Sequence, residues 1–418
     1  MQCGFAFLEA GAVRSKNTVN ILMKNILDSA IGGIVYWICG YAFAFGDKSN
    51  AFIGYSYFCL NDLPDSLYPF YFFHFVFAAT AATIVSGCMA ERTRFSAYFM
   101  YSVVITGVVY PIVSHWAWSG EGWLASGCWW DDVYYMDFAG SGVVHCVGGT
   151  AGLMGALALG RRLELQKGGE SEGRRLEGHS VPLACLGGFI LFFGFFAFNG
   201  GSQAAITNQG DSAVVGKAIV NTILSGSFGG LGASILSYIK LRKFSLLAVI
   251  NGILTGMVAI CAGANAVETY GAAVTGLVAG MVFFGVSELL FLCKVDDPLD
   301  AFAVHYGGGA WGVLSLAFLH ADRGVLYEWD ALSGKHLVWQ VIGLLAITAW
   351  TAAITGPMFF GLRALKYVGY DALRVPEEIE REGLDVTEHG MEAYPNGGGP
   401  TAYGGAELTG VHINNAKL

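Results

Sequence analysis

Two short stretches of the sequence share the pattern V-H-x-x-G-G: VHCVGG at residues 144–149 and VHYGGG at residues 304–309. Each lies inside a long apolar segment, and the two stretches are five such segments apart. Residues 5–7 and 196–198 both read FAF and are also five segments apart. Because an odd number of membrane crossings reverses the chain direction, the pattern predicts two halves of inverted topology with a shared site near the membrane midplane.

The composition is typical of a membrane protein. Of 418 residues, 54% are hydrophobic and only 13% are charged, whereas a soluble domain carries about 25% charged residues. Ten segments have the roughly 20 apolar residues that a helix needs to cross about 30 Å of hydrocarbon. They cover residues 17–46, 69–90, 97–117, 137–159, 181–199, 216–238, 245–262, 270–293, 299–320 and 337–365.

An eleventh apolar segment, residues 1–13, precedes Arg14 and Lys16 and is too short to cross alone. We interpret it as a first span whose outer half is missing from this chain. The sequence therefore predicts an all-α polytopic membrane protein with eleven transmembrane helices, the first truncated, in two inverted five-helix repeats plus a final helix. Residues 1–366 form the predicted transmembrane domain, and residues 367–418 form a cytosolic tail.

Lysine and arginine collect in every second connection between the apolar segments, for example at Arg92 and Arg94. Basic connections face the cytosol, which predicts a multi-pass protein with its N-terminus outside and its C-terminus in the cytosol. The net charge is −9, and no basic patch is long enough to follow a phosphate backbone. Nucleic acid is therefore excluded as a partner.

Ionisable residues within membrane spans are functional candidates, because facing them to lipid costs several kcal/mol. The sequence places Asp137, His145, Asp300 and His305 there. A lone histidine often makes only a helix-to-helix hydrogen bond, but two at equivalent places favour a shared central site that relays a proton or binds a polar solute. Asp137 and Asp300 lie near the starts of their spans, where each either caps its helix or acts on a solute directly.

Aromatic residues are frequent near the predicted outer ends of the spans, among them Phe77, Trp118 and Phe198. Most are expected to form an interfacial belt, although a subset lining a vestibule would attract a small cation through the faces of the rings. Ser202 ends its span and is placed to expose a hydroxyl beside Phe198.

The nine cysteines lack any zinc-ligand spacing, and no metal site is predicted. Cys59 and Cys128 lie in polar outer connections, where a disulfide between them is an open alternative.

Six ordered motifs make the chain resemble the ammonium transporter family (Amt/Mep/Rh), and within it the Amt branch. They are FAFLEAGAVRSKN (5–17), AERTRFS (90–96), DFAGSGVVH (137–145), FAFNGGS (196–202), VDDPLDAFAVHYGGG (295–309) and EREGLDVTEHG (380–390). The resemblance covers essentially the whole chain. It implies transport of ammonium or ammonia across the plasma membrane by a homotrimer, with methylammonium as an analogue and no cofactor.

The resemblance also assigns roles to residues of this chain. It implies an outer ammonium site, a gate of stacked rings, a pore histidine pair, a supporting vestibule aspartate and a regulatory threonine. The outer site consists of Trp118, Phe77 and Ser202, and the gate consists of Phe77 and Phe198. The pore pair is His145 and His305, the vestibule aspartate is Asp137, and the regulatory threonine is Thr387. Family members carry roughly twenty further residues before the first matching motif, a departure that affects trimer packing more than pore chemistry.

Two other functions stay open at this stage. An ammonium sensor would signal through the cytosolic tail. An intramembrane metalloenzyme would use the histidines and aspartates, but it needs clustered ligands such as H-E-x-x-H. The sequence favours a transporter over an enzyme.

Overall fold

The fold is helical throughout the part of the chain that the computed structural model describes, namely residues 1–127, 130, 132–169, 171, 173 and 175–395. Within these residues, extended backbone pairs only in isolated bridges, such as Thr93 with Arg374. The α-helices are α1 (Gln2–Ala12), α2 (Thr18–Val35), α3 (Tyr41–Phe45), α4 (Tyr68–Met89), α5 (Phe95–Val104), α6 (Tyr110–Trp118), α7 (Val147–Leu159), α8 (Val181–Gly201), α9 (Asp211–Leu241), α10 (Leu246–Ile260), α11 (Thr269–Leu292), α12 (Gly308–Leu319), α13 (Ala331–Ala364), α14 (Glu377–Glu382) and α15 (Leu384–His389).

Ten helical segments among the described residues are long and apolar enough to cross a membrane. They run Ser15–Phe45, Asp65–Met89, Phe95–Trp118, Ser141–Leu159, Val181–Gly201, Asp211–Leu241, Leu246–Gly263, Thr269–Leu292, Phe302–Leu319 and Ala331–Val368. Each overlaps one of the ten predicted spans. The predicted start of one span at Asp137 is wrong, because residues 137–140 form a non-helical entry and the helical segment begins at Ser141.

Helix α1 packs closely against α8, and glycine makes this approach possible. A Cβ atom added to Gly187 would lie 2.1 Å from the backbone nitrogen of Leu8, and one added to Gly11 would lie 2.2 Å from that of Ala184. Small residues at such crossings let membrane helices pack backbone to backbone. The short α1 is thereby held at the centre of the helix bundle.

A buried ionic network joins the ends of several helices on the predicted cytosolic side. The Glu91 carboxylate accepts hydrogen bonds from the Arg14 backbone N–H at 2.8 Å and from Arg14 Nε at 2.9 Å, and it pairs with Arg162. Arg162 also donates to both carboxylate oxygens of Asp296 at 2.9 Å. Burial acts to raise the pKa of Glu91, but Arg162 and Arg14 hold that pKa well below its usual range. The two carboxylates are therefore ionised and bridge connections far apart in sequence.

The described part of the C-terminal tail docks on the helix bundle. Asp385, in α15, accepts the backbone N–H groups of Val19 at 3.0 Å and of Asn20 at 2.9 Å, and so caps the start of α2 from outside that helix. In α14, Glu380 accepts from Arg374 at 2.6 Å and from the backbone N–H of Leu163 at 2.7 Å. The position of the tail thus depends on paired charges and one helix cap.

The proposed Cys59–Cys128 disulfide cannot be compared with the structure, because Cys128 lies outside the described residues. It stays an open alternative.

Candidate functional site

His145 and His305 face each other in the middle of the helix bundle. Their Nδ1 atoms are 3.1 Å apart, their ring centroids are 5.2 Å apart, and their planes differ by 13°. Both side chains are buried. A hydrogen bond between two imidazole nitrogens needs one donor and one acceptor, so the pair shares one proton between the two Nδ1 atoms.

Both histidines lie on π-helical turns that open into regular helices. The turn Ser141–Cys146 leads into α7, and the turn Phe302–Gly307 leads into α12. A π-turn inserts a residue into the helical register and is frequent at functional sites. Close glycine contacts accompany each turn: a Cβ added to Gly149 would lie 2.7 Å from the Tyr306 nitrogen, and one added to Gly309 would lie 2.3 Å from the Ser141 oxygen. The V-H-x-x-G-G pattern therefore combines an imidazole with the space that lets the two helices cross.

Asp137 caps the entry to the first of these turns. Its carboxylate accepts the backbone N–H groups of Gly140 at 3.0 Å, Gly142 at 2.8 Å and Val143 at 2.9 Å. Burial raises the pKa of Asp137 to about 6, although these donors act in the opposite direction. The capping alternative left open by the sequence is thus present in the structure, and the carboxylate is mostly ionised at neutral pH.

The second entry is capped by Asp297, a residue that the sequence reasoning missed. Asp297 accepts the backbone N–H of Phe302 at 2.8 Å. It precedes His305 by eight residues, as Asp137 precedes His145. This shared spacing of eight residues is the sequence signal by which Asp297 could have been identified as the cap. Burial and the neighbouring charge of Asp300 raise the pKa of Asp297 to about 7.

Of the two alternatives left open for Asp300, the structure does not show the capping one. Its carboxylate instead accepts the hydroxyl of Ser287 at 2.7 Å and lies 3.4 Å from the guanidinium of Arg175. Asp300 has a positive φ of 56°, and Gly140, three residues after Asp137, has a positive φ of 97°. Each of these residues turns the chain into its helix, which leaves the preceding aspartate as the cap.

A column of aromatic rings covers the histidines on the predicted outer side. Phe77 and Phe198 stack at 4.1 Å between centroids with 17° between planes, and both are buried. Phe198 lies 5.6 Å from the ring of His145. Trp118 contacts the edge of Phe77 at 5.9 Å. The stack therefore closes a direct route from the Trp118 side to the histidine pair.

Polar groups at the top of this stack are held in fixed directions. Trp118 Nε1 donates to the backbone oxygen of Asp137 at 2.7 Å, which orients the indole ring. The hydroxyl of Ser202 donates to the backbone oxygen of Phe198 at 2.8 Å. With its proton so engaged, the Ser202 oxygen is free to accept a hydrogen bond from a donor such as an N–H group.

Phe5 and Phe195 are further ring contacts that sequence reasoning did not select. Phe5 lies 5.9 Å from His305, and Phe195 lies 5.9 Å from His145. The contacts thus pair Phe5 with Phe195, an offset of 190 residues. The repeated Phe-Ala-Phe sequence at residues 5–7 and 196–198 has an offset of 191 residues. Aligning the two halves by this repeat is therefore wrong by one residue, because it pairs Phe5 with Phe196 instead of Phe195.

Below the histidines, two cavities lead toward the predicted cytosolic side. The first has a volume of about 20 Å³ and is lined by His305, among others. The second has a volume of about 470 Å³. Leu8, Asn251 and Leu299 line both cavities. The two cavities are therefore adjacent, and the larger one forms an inner vestibule below the smaller one. Within the described residues, no three or more His, Cys, Asp or Glu side chains cluster so as to hold a metal ion.

Comparison with known proteins agrees with this architecture. The model of the Ammonium Transporter Family matches residues 1–394. Putative ammonium transporter 1 of Caenorhabditis elegans is 48% identical over 414 residues, covering 94% of this chain and 76% of the relative. Ammonium transporter 1 member 1 of Oryza sativa subsp. japonica is 41% identical over 409 residues, covering 92% of this chain and 81% of the relative.

Solved structures with the same fold are named as Amt or Mep proteins. A structure named Sensor Amt Protein superimposes with a TM-score of 0.83 at 34% identity, covering 93% of this chain and 94% of that one. The crystal structure of Saccharomyces cerevisiae Mep2 superimposes with a TM-score of 0.77 at 27% identity, covering 90% and 84%. With a family match across nearly the whole chain and relatives above 40% identity, this chain belongs to the ammonium transporter family.

Proposed function

We propose that this protein transports ammonium by binding NH4+ at Trp118, Phe77 and Ser202 and passing ammonia and the proton separately beyond that point. The observation that carries the proposal is the hydrogen-bonded pair His145 and His305 lying directly beneath a closed aromatic stack. Trp118 and Phe77 supply ring faces for a cation, and the Ser202 oxygen accepts one N–H. The ionised Asp137, whose backbone oxygen orients Trp118, adds negative potential nearby.

Beyond the stack the pore lining is mostly apolar, with side chains such as Phe5, Leu8 and Leu254, so an intact cation there would carry a large desolvation cost. Deprotonation removes that cost: NH4+ gives a proton to the histidine pair and continues as neutral NH3. His145 binds a proton at Nε2, which lies 3.7 Å from the Cys261 thiol, while its Nδ1 proton passes to His305 Nδ1, and His305 then releases the proton from Nε2. Potassium has no proton to give, which supports discrimination at this step.

Several finer features of the protein belong to the same proposal. We infer a homotrimer in the plasma membrane with one pore per subunit, an outer N-terminus and a cytosolic C-terminus. Residues 1–366 form the transport domain and 367–418 the regulatory tail, and the role is transport rather than catalysis. Of these features, the transport role is supported by the names of the relatives, which are ammonium transporters.

An ammonium sensor is a second candidate, favoured by the name of one structural neighbour and by the docking of the tail through Asp385. The decisive experiment is to measure ammonium-dependent current and labelled methylammonium uptake in the same cells. Uptake above that of untransfected cells supports transport. Neither uptake nor current at normal surface expression would overturn the transport proposal in favour of sensing.

We expect Trp118→Leu and Ser202→Ala to weaken apparent ammonium affinity more than they lower the flux at saturation. The lost cation–π and hydrogen-bond contacts amount to about 0.5 to 2 kcal/mol each, equivalent to a several-fold to roughly thirtyfold change. Concentration dependence of methylammonium uptake measures both quantities. Trp329→Leu is the matched control, because Trp329 is 82% exposed. An unchanged affinity in both variants would contradict a binding role and would leave Trp118 as a member of the interfacial aromatic belt.

We expect Thr387→Asp to lower transport about fivefold or more and Thr387→Ala to leave it active. Thr387 lies in α15 between Asp385 and Glu388, and its hydroxyl donates to the Gly383 oxygen at 2.7 Å. Negative charge there, as in phosphorylation, repels both acids and displaces the cap on α2. Transport by surface-expressed trimers is the measurement.

Val386→Asp provides the control for this prediction, because Val386 lies on the exposed side of the same helix. It adds the same charge without entering the docked face. Wild-type transport by Thr387→Asp would mean that this tail does not regulate the pore through Thr387.

A further inference from the structure

A second ionisable group lies on the pore, on the opposite side of the histidine pair from Asp137. Glu9 is 2% exposed and lies four residues after Phe5 in α1. Residues four apart share one helix face, and Phe5 is the residue whose ring contacts His305. Glu9 therefore lies on the pore-facing side of α1, one helical turn closer to the predicted cytosolic end.

Glu9 and His305 line the same small cavity. Its volume of about 20 Å³ accommodates a single water, which requires roughly 10 to 15 Å³ on this measure. Because His305 bonds His145 through Nδ1, its Nε2 is the nitrogen left to face away from that partner. A water in this cavity would lie between two polar lining residues, Glu9 and His305.

The Glu9 carboxylate is anchored through one oxygen. Oε2 accepts the hydroxyl of Ser86 at 2.5 Å and the side-chain amide of Asn25 at 3.0 Å. Both of these hydrogen bonds go to Oε2, and among the described residues no side chain donates to Oε1. The carboxylate is thus fixed in position while one oxygen is kept for another donor.

Charged and titratable side chains surround Glu9 on the side away from the pore. Those that interact with it electrostatically are Lys24 and Asp28 from α2 and Tyr98 and Tyr101 from α5. Lys24 Nζ is buried and lies 3.5 Å from the centre of the Tyr98 ring. From α8, the residues packed on α1 are apolar or glycine, such as Leu191 and Gly187.

The opposite pore half carries no acid at the equivalent position. The offset that pairs Phe5 with Phe195 pairs Glu9 with Asn199, which is buried and donates to Thr222 at 2.9 Å. An amide does not titrate, whereas a carboxylate does. The two sides of the histidine pair therefore differ in their capacity to accept a proton.

We propose that Glu9 is the proton acceptor on the inner side of the pore, receiving through one water the proton that leaves His305. This inference rests on the proposed function and names the residue that completes its proton path. As the Nε2–H bond of His305 breaks, the cavity water accepts that proton and passes one of its own to Glu9 Oε1. The imidazole becomes neutral and the carboxylate becomes a carboxylic acid. Its O–H bond then breaks as ammonia arriving from the pore takes the proton, which forms NH4+ and restores the carboxylate.

A purely structural role for Glu9, as the buried partner of Ser86 and Asn25, predicts a different outcome. Such hydrogen bonds set stability and expression but give no dependence of transport on cytosolic pH. The test therefore measures maximal current against cytosolic pH, together with apparent affinity from the outside, at matched surface expression.

Glu9→Gln keeps the shape and the anchoring hydrogen bonds but cannot accept a proton as a carboxylate does. We expect it to lower maximal current roughly a hundredfold or more, with little change in outer affinity. Wild-type current should fall as cytosolic pH is lowered, because protonated Glu9 is no longer an acceptor, and Glu9→Gln should lose this dependence. Glu9→Asp should restore part of both properties.

Asp28→Asn is the matched control, because Asp28 is an equally buried acid of the same cluster that does not line the cavity. Because Asp28 interacts with Glu9 electrostatically, we expect this variant to shift the pH profile but to keep a dependence of current on cytosolic pH. Equal losses in Glu9→Gln and Asp28→Asn with unchanged pH profiles would overturn the acceptor role. Methylammonium uptake without current in the wild type would also overturn it while leaving transport intact. Absence of both would overturn the proposed function itself.

Discussion

Alanine in place of His145 or His305 is expected to abolish ammonium-selective transport. Each substitution removes one partner of the 3.1 Å hydrogen bond and with it the polar connection between the two halves of the pore. The ammonium current should fall to background, or potassium should carry it as well as ammonium does. Currents in ammonium and potassium solutions, together with methylammonium uptake, measure both possibilities.

His320→Ala serves as the control for the histidine variants, because His320 lies after α12, outside the pore. It should transport normally. If both pore variants reached the surface and kept wild-type ammonium current and potassium exclusion, the proton relay through the histidines would be refuted.

The largest loss of stability is expected from Glu91→Ala. Removing this carboxylate leaves the guanidinium of Arg162, which is almost fully buried, without one of its two acidic partners, and it leaves Arg14 with Glu164 as its remaining acidic partner. Breaking a buried pair from one side costs about 3 to 5 kcal/mol. Thermal unfolding of the detergent-solubilised protein and the amount at the cell surface measure the effect.

Glu268→Ala is the comparison for Glu91→Ala. Its partner is Lys217 at 3.2 Å, and both side chains are substantially exposed. Exposed pairs contribute about 0 to 1 kcal/mol, so this variant should unfold close to wild type. Equal stability of the two variants would mean that the buried network does not hold the helix ends together.

The positions of the ten spans were predictable because each depends on a property of about 20 consecutive residues. Apolar side chains must cover the helix wherever it meets lipid, and that requirement is visible in the sequence without tertiary information. The pairing of His145 and His305 was also predictable, because the repeated V-H-x-x-G-G pattern places the same residues in both halves. The predicted count of eleven spans stays a prediction, since the structure has ten segments of sufficient length among its described residues.

Errors arose where a local pattern had several geometric solutions. Asp296, Asp297 and Asp300 all precede the second pore helix, and each is chemically able to cap it. Backbone direction decides among them: the positive φ of Asp300 turns its own side chain to Ser287 and leaves Asp297 facing the helix start. The repeated Phe-Ala-Phe sequence likewise aligned Phe5 with Phe196 instead of Phe195. A shift of one residue matters, because adjacent residues on a helix point about 100° apart.

By itself, the sequence determined the membrane class, the ten apolar spans, the two central histidines and the motifs that indicate the family. These properties are encoded locally or by repetition. Only the tertiary structure decided that Glu9 shares a cavity with His305, that Asp385 caps α2 and that Glu91 joins Arg14 to Arg162. Each of these contacts joins residues more than 70 positions apart, and the physical reason is that close packing, rather than the local pattern, selects which buried polar groups meet.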